Sequence, residues 1–100
     1  KYRVHVNNGW LGFIDSRNTD INDYYNGYAG NDTPVDAVEI YYYTPDDIIN
    51  SSGYHYAFYR VSPRNNNYYS LQKDNNTDNG MDGYAGIFGH FIDRIQINIK

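Results

Sequence analysis

The chain contains no cysteine, which excludes disulfides, thiolate metal sites and a cysteine nucleophile, and leaves the redox compartment open. It has a single glutamate, Glu39, on the polar side of a strand-like run, so a facing Glu/Glu pair for glycoside hydrolysis is ruled out. No apolar run approaches the roughly 18–20 residues of a membrane span, and no secretory leader opens the sequence. Basic residues are scarce: 8 Lys+Arg stand against 12 Asp+Glu, giving a net charge of -4 and a pI of 5.0. That sign opposes counterion-release binding to nucleic acid and attraction to an anionic membrane. The three histidines, His5, His55 and His90, lie at no metal-type spacing, and neither a G-x-S-x-G elbow nor a Gly-rich phosphate loop occurs. No catalytic residue, cofactor or metal is expected.

What the chain has instead is tyrosine and short polar side chains. Of its 100 residues 13 are Tyr, 14 Asn and 11 Asp. A chain of this length is one domain that buries roughly 60–70% of its unfolded surface, and its aromatic content supplies a core despite a mean hydropathy of -0.81. It begins at Lys1 just before a strand-like run, which reads as a segment of a longer protein.

The sequence aligns with itself at an offset of about 57. Tyr2-Arg3-Val4 matches Tyr59-Arg60-Val61, Trp10-Leu11 matches Tyr68-Tyr69, and Asn18-Thr19-Asp20 matches Asn76-Thr77-Asp78. Gly27-Tyr28-Ala29-Gly30 matches Gly83-Tyr84-Ala85-Gly86, and VDAVEI (35–40) matches IDRIQI (92–97). The expected organisation is one all-β module, 1–100, with half-repeats at 1–43 and 55–100 and a turn-rich linker at 44–54.

Within each half, apolar residues recur at every second position. Tyr2, Val4 and Val6 form one such set, Val38, Ile40 and Tyr42 another, and Ile95, Ile97 and Ile99 a third. That period belongs to half-buried strands. A further strand is expected near 10–15 and near 68–73, with Leu11 and Phe13, and Tyr69 and Leu71, pointing inward. No helical pattern persists beyond a possible turn at Asp46–Asn50. The expected architecture is about three strands per half, packed as a sandwich, barrel or prism about a pseudo-twofold axis.

The loops carry Asn and Asp as turn formers. DNNTDNGMDG (74–83) alternates oxygen-bearing side chains but departs from the EF-hand loop at its sixth position, Asn79, and its twelfth, Ala85. Asp36 and Asp93, equivalent before the last strand of each half, read as carboxylates that hold the GYAG segment through backbone N–H groups. Aromatic rings stack on the apolar faces of sugars while Asn, Asp and Arg bind hydroxyls. On that chemistry the candidate ligand-binding residues are Trp10, Tyr24, Tyr25, Tyr28, Tyr68, Tyr69 and Tyr84. Tyr24 and Tyr25 fall in an insertion that the second half lacks.

The succession YRVHVNNGW, GYAG and VDAVEIYYYTP, followed by a second copy ending YYSLQKDNNTDNGMDGYAGIFGHFIDRIQINIK, resembles the C-terminal modules of peptidoglycan hydrolases (endolysins, muramidases, amidases) of Firmicutes and their phages. More remotely it is similar to the clostridial hydrophobic tryptophan (ChW) repeats. Relative to the latter, Asp36 stands for the usual Glu, GYAG for Ala-Gly-Thr, and Tyr68 for a Trp. The resemblance implies an extracellular or cell-wall-associated carbohydrate-binding module, without catalytic residues, that brings an upstream hydrolase to cell-wall glycan. The competing expectation from the residues is a protein-interaction or adhesion domain using an exposed strand edge or Tyr patch.

Overall fold

The structure, a computed structural model, describes all residues from Lys1 to Lys100. It is an all-β domain of two antiparallel sheets with one short helix. In chain order the elements are β1 (Tyr2–Val6), β2 (Gly9–Trp10), β3 (Val35–Ile40), α1 (Asp46–Ser52), β4 (Ala57–Pro63), β5 (Gln72–Lys73), β6 (Ala85–Gly86) and β7 (Ile92–Ile99). One sheet has the order β2-β1-β3-β6 and the other β5-β4-β7.

The period-2 runs form the long strands, and their pairing repeats with the sequence. Tyr2, Arg3 and Val4 lie opposite Ile40, Glu39 and Val38, while Tyr59, Arg60 and Val61 lie opposite Ile97, Gln96 and Ile95. Every partner is displaced by 57 residues. Both ladders break at the same place, between His5 and Val6 in one and Ser62 and Pro63 in the other. The flanking segment also repeats: Tyr2 bridges Ile14 as Tyr59 pairs with Gln72, and the Leu11 N–H bonds the Val4 carbonyl as Tyr69 bonds Val61. These second strands are shorter than the alternation suggests. Phe13 and Leu71, expected inward, are exposed, whereas Leu11 and Tyr69 pack on the core.

The linker forms helix α1, with Asp46 and Asp47 in its first turn, where negative charge suits the helix dipole. Gly53, at φ 89°, ends it by donating its N–H to the Ile48 and Ile49 carbonyls.

The core lies between the two sheets and combines Val4, Val6 and Val38 with Ala57, Tyr59, Val61 and Ala85. Tyr59 is fully buried, and its hydroxyl donates to the Asp74 carbonyl (2.8 Å) and accepts from the Ile40 N–H (3.2 Å). Asp74 is itself buried; its Oδ1 accepts the N–H of Tyr42 (3.1 Å) and of Ala57 (2.9 Å). The turn segment 74–83 thus contributes a structural carboxylate whose oxygen is spent on backbone donors of both halves.

The halves exchange backbone in one direction only. β6, part of the second GYAG, pairs with β3 of the first half, Ala85 opposite Val38 and Gly86 opposite Ala37. A pseudo-twofold axis would require Ala29–Gly30 to pair with β7 in return, and β7 pairs with β4 alone. At this contact the expected twofold gives way to a one-way, head-to-tail pairing. The same asymmetry leaves the apolar face of β7 uncovered: Ile95 and Ile97 are 46% and 54% exposed, whereas Val38, the equivalent of Ile95, is 7% exposed.

Burial pushes the Tyr59 phenol far above its ordinary value. Its neutral form stabilises the fold fully below the unfolded phenol's pKa, near 10, and that contribution is lost as pH rises toward the folded value. Tyr59→Phe removes the bond to Asp74 and leaves the half-buried Ile40 N–H without its hydroxyl acceptor. It is expected to lower unfolding free energy by about 1–3 kcal/mol in chemical denaturation, and to weaken the alkaline loss of stability above about pH 10.

Candidate functional site

The sequence-predicted aromatic residues separate into three settings. In the first, rings are covered by arginine. Arg3 donates from Nε and Nη2 to Glu39 Oε1 (3.2 and 2.9 Å), and its guanidinium lies 4.5 Å from the Trp10 ring centre and 4.4 Å from that of Phe13. The second half repeats this device: Arg60 Nε donates to Gln96 Oε1 (2.6 Å), with the guanidinium 4.5 Å from the Tyr68 ring and Arg94 approaching the same ring. A charge held over a ring uses the face that a sugar would need. Trp10 and Tyr68 are thus equivalent platforms, and each already carries an arginine.

In the second setting, the rings form a surface cluster in which Trp10 and Tyr84 are half-buried and Phe88 is 45% exposed. His5 stacks on Phe88 (3.8 Å between centres), Trp10 meets Tyr84 and Phe88 edge-on, and Tyr84 stacks on Phe88. Beneath them lies buried Asp36. One of its oxygens is 2.6 Å from His5 Nδ1 and the other accepts the Gly89 N–H at 2.8 Å. Asp36 does hold the segment after GYAG, that of the opposite half, and its two partners account for both oxygens. Its counterpart Asp93 is exposed and lies 3.6 Å from Arg94 Nε. Tyr69 belongs to the main core's margin.

The third setting is the turn 20–28. Asp20 Oδ1 accepts the Asn22 N–H, and Asp23 Oδ1 accepts those of Tyr25 (2.9 Å) and Asn26 (3.1 Å). Gly27 closes the turn through its N–H to the Asp23 carbonyl (2.8 Å); a Cβ there would lie 2.5 Å from that oxygen and 2.6 Å from the Asp20 carbonyl, so only glycine fits. These Asx turns hold Tyr24 and Tyr25 outward at 87% and 88% exposure. Tyr28, also exposed, joins Tyr25, Phe13, Thr19, Asn26 and Asn31 around an open groove of about 460 Å³. Tyr24, Tyr25 and Tyr28 have neither a cation nor another ring against them.

Sequence reasoning found these three tyrosines but not Phe13, Thr19 or Asn31, which come from neighbouring loops. It also missed the arginine stacks; the recurrence of Arg3 with Trp10 and of Arg60 with Tyr68 was the available signal. Comparison with protein-family models, with curated proteins and with solved structures finds no match to this chain.

The two backbone N–H bonds from Tyr25 and Asn26 hold the Asp23 carboxyl below its ordinary pKa. A depressed folded value means that this contribution is present above the unfolded pKa, near 3.9, and is lost as pH falls through the folded one. Amide hydrogen exchange at Tyr25 and Asn26, taken relative to the pH-dependent intrinsic rate, is therefore expected to stay slow down to about pH 4 and to quicken below it. Asp23→Ala is expected to quicken it at neutral pH while leaving the exchange of β4 unchanged.

Proposed function

We propose that the chain is a non-catalytic module that binds bacterial cell-wall glycan, peptidoglycan or wall polysaccharide, and so brings an upstream hydrolase of the same protein to the wall, outside the cell. The observation that carries this reading is the turn 20–28, which is built by its own hydrogen bonds to present tyrosines with vacant faces beside a groove with amide and hydroxyl groups. Sugar rings offer C–H faces to Tyr25 and Tyr28, and their hydroxyls find Asn26, Asn31 and Thr19. An exposed ring is not stabilising where it stands, and Tyr24 and Tyr25 are not required by the half-domain, since the second half folds without equivalents.

Such contacts are individually weak, and their use is in tethering, where attachment raises the local concentration of a linked enzyme on its substrate. Tyr24→Ala, Tyr25→Ala and Tyr28→Ala are each expected to weaken binding to purified wall or soluble muropeptides about two- to tenfold, the scale of one aromatic contact. The melting temperature should hardly change for the first two. Because Arg3, Tyr84 and Phe88 enclose Trp10 away from the groove, its emission should stay constant through the titration. Retention on wall material stripped of all saccharide, or unaltered binding by the three variants, would refute the reading. A second reading, protein interaction through a strand edge, is favoured by the open edge of β7.

A further inference from the structure

The contact that joins the halves is present once, yet both of its sides exist twice. The acceptor is the outer edge of β3 at Ala37 and Val38, and the donor is Ala85–Gly86. Displacing the acceptor by 57 residues gives Arg94 and Ile95 on the free edge of β7; displacing the donor by 56 gives Ala29–Gly30, which no strand receives. Both spare sides keep the form of the used ones. Gly86 has φ 126° because it lies against β3: a Cβ there would run into the Asp36 carbonyl and lie 2.8 Å from Ala37 Cα. Gly30 has φ 137° with nothing within 4 Å of its Cβ position. It holds a conformation that other residues avoid, where nothing in this chain crowds it. The spare acceptor is a register-matched strand of eight residues whose Ile95, Ile97 and Ile99 are exposed, and a long apolar edge of this kind is ordinarily covered.

We propose that β7 of one chain receives the Ala29–Gly30 segment of a second copy, Ile95 opposite Ala29 and Arg94 opposite Gly30, extending the head-to-tail relation of the two halves from chain to chain. The occupant is set by the contact already in place between β3 and β6, which uses the same pair of surfaces. Charge agrees with it. Asp32 occupies the sequence position of Phe88, two residues past the second glycine of GYAG, and where Phe88 stacks on His5 in the first half, the second half has buried Ser62, whose Oγ accepts from Arg94 Nε (3.0 Å); that guanidinium also donates to the Asn66 carbonyl and remains half exposed beside Asp93. An aromatic stack inside the chain is thus replaced between chains by an acid facing a base. Tyr28 likewise comes to Tyr68 as Tyr84 comes to Trp10. Because donor and acceptor are different surfaces, the contact is heterologous and does not close at two copies.

This inference deepens the strand-edge reading; because Tyr28, Ala29 and Gly30 also line the tyrosine groove, a docked copy and a saccharide would compete for that wall. Crosslinking without saccharide tests it. The chain lacks cysteine, so A29C and I95C can be made singly, with S51C on helix α1 as an exposed control, and equilibrated at millimolar concentration in a thiol–disulfide buffer. The expected result is an A29C–I95C heterodimer, at least tenfold above the pairs that either forms with S51C, and a ladder of multimers from the double variant. Preferential I95C self-pairing would overturn the proposal in favour of a symmetric edge dimer and leave the strand-edge reading intact. No preference in any mixture, with a monomeric wild-type chain in sedimentation at the same concentration, would overturn both.

Discussion

Two residues, Ala85 and Gly86, hold the architecture together by leaving their own half and pairing with β3 of the other. Through this contact Ala85 enters the core beside Val38 and Val61, and the following turn brings Phe88 onto His5 and the Gly89 N–H to Asp36. The contact adds main-chain pairing to the core that the two sheets already share; either half alone would be a small sheet with one apolar face, too little for independent stability. With this pairing, β3, joined to β1 within its own half, is paired on its other edge as well. The price of so short a strand is geometric: only glycine allows the backbone to approach Ala37 as closely as Gly86 does.

A second node, Tyr59 with Asp74, works from the opposite side of the core. The Tyr59 hydroxyl bonds to the chain on both sides, and Asp74 collects N–H groups from Tyr42, just before the linker, and Ala57, just after it. A buried carboxylate would be costly alone, but here its oxygen meets donors that would otherwise be unpaired where the strands end. The linker is therefore fastened at both of its ends by one side chain, which explains why so polar a turn segment contains a buried acid.

Alternation made β1, β3 and β7 legible and the duplication marked β4 as the copy of β1; alternation gives facing and not pairing partners, so the repeat of 57 residues required only that whatever register one half adopts, the other adopts too. Neither signal reports how the halves meet. GYAG reads as a turn in both copies, and nothing local distinguishes the copy that becomes β6. Alternation likewise identifies Ile95, Ile97 and Ile99 as one face without saying whether anything covers it. Asp74 was hidden among eight turn-forming neighbours because burial of a lone carboxylate has no period. For the candidate site, composition pointed to aromatic rings, but only geometry separates rings occupied by arginine from vacant ones; the insertion at Tyr24–Tyr25 was the one sequence feature that set those residues apart.

The settings of the aromatic residues follow from the duplication. Arg3 with Glu39 and Trp10, and Arg60 with Gln96 and Tyr68, are the same clamp on the same face of the same ladder. What occurs in both copies at equivalent positions serves the unit that was copied, which is a sheet needing its outer face covered. What differs between copies is free of that demand. By this criterion the insertion at Tyr24 and Tyr25, held outward by the Asx bonds of Asp23, is the part of the molecule that the fold does not need. The exchange of the GYAG segment obeys the same logic in reverse: its donor and acceptor are copied in both halves, yet the second pairing is unmade within one chain. A copied surface that is fulfilled once and left open once has an obvious complement, and that complement is another copy.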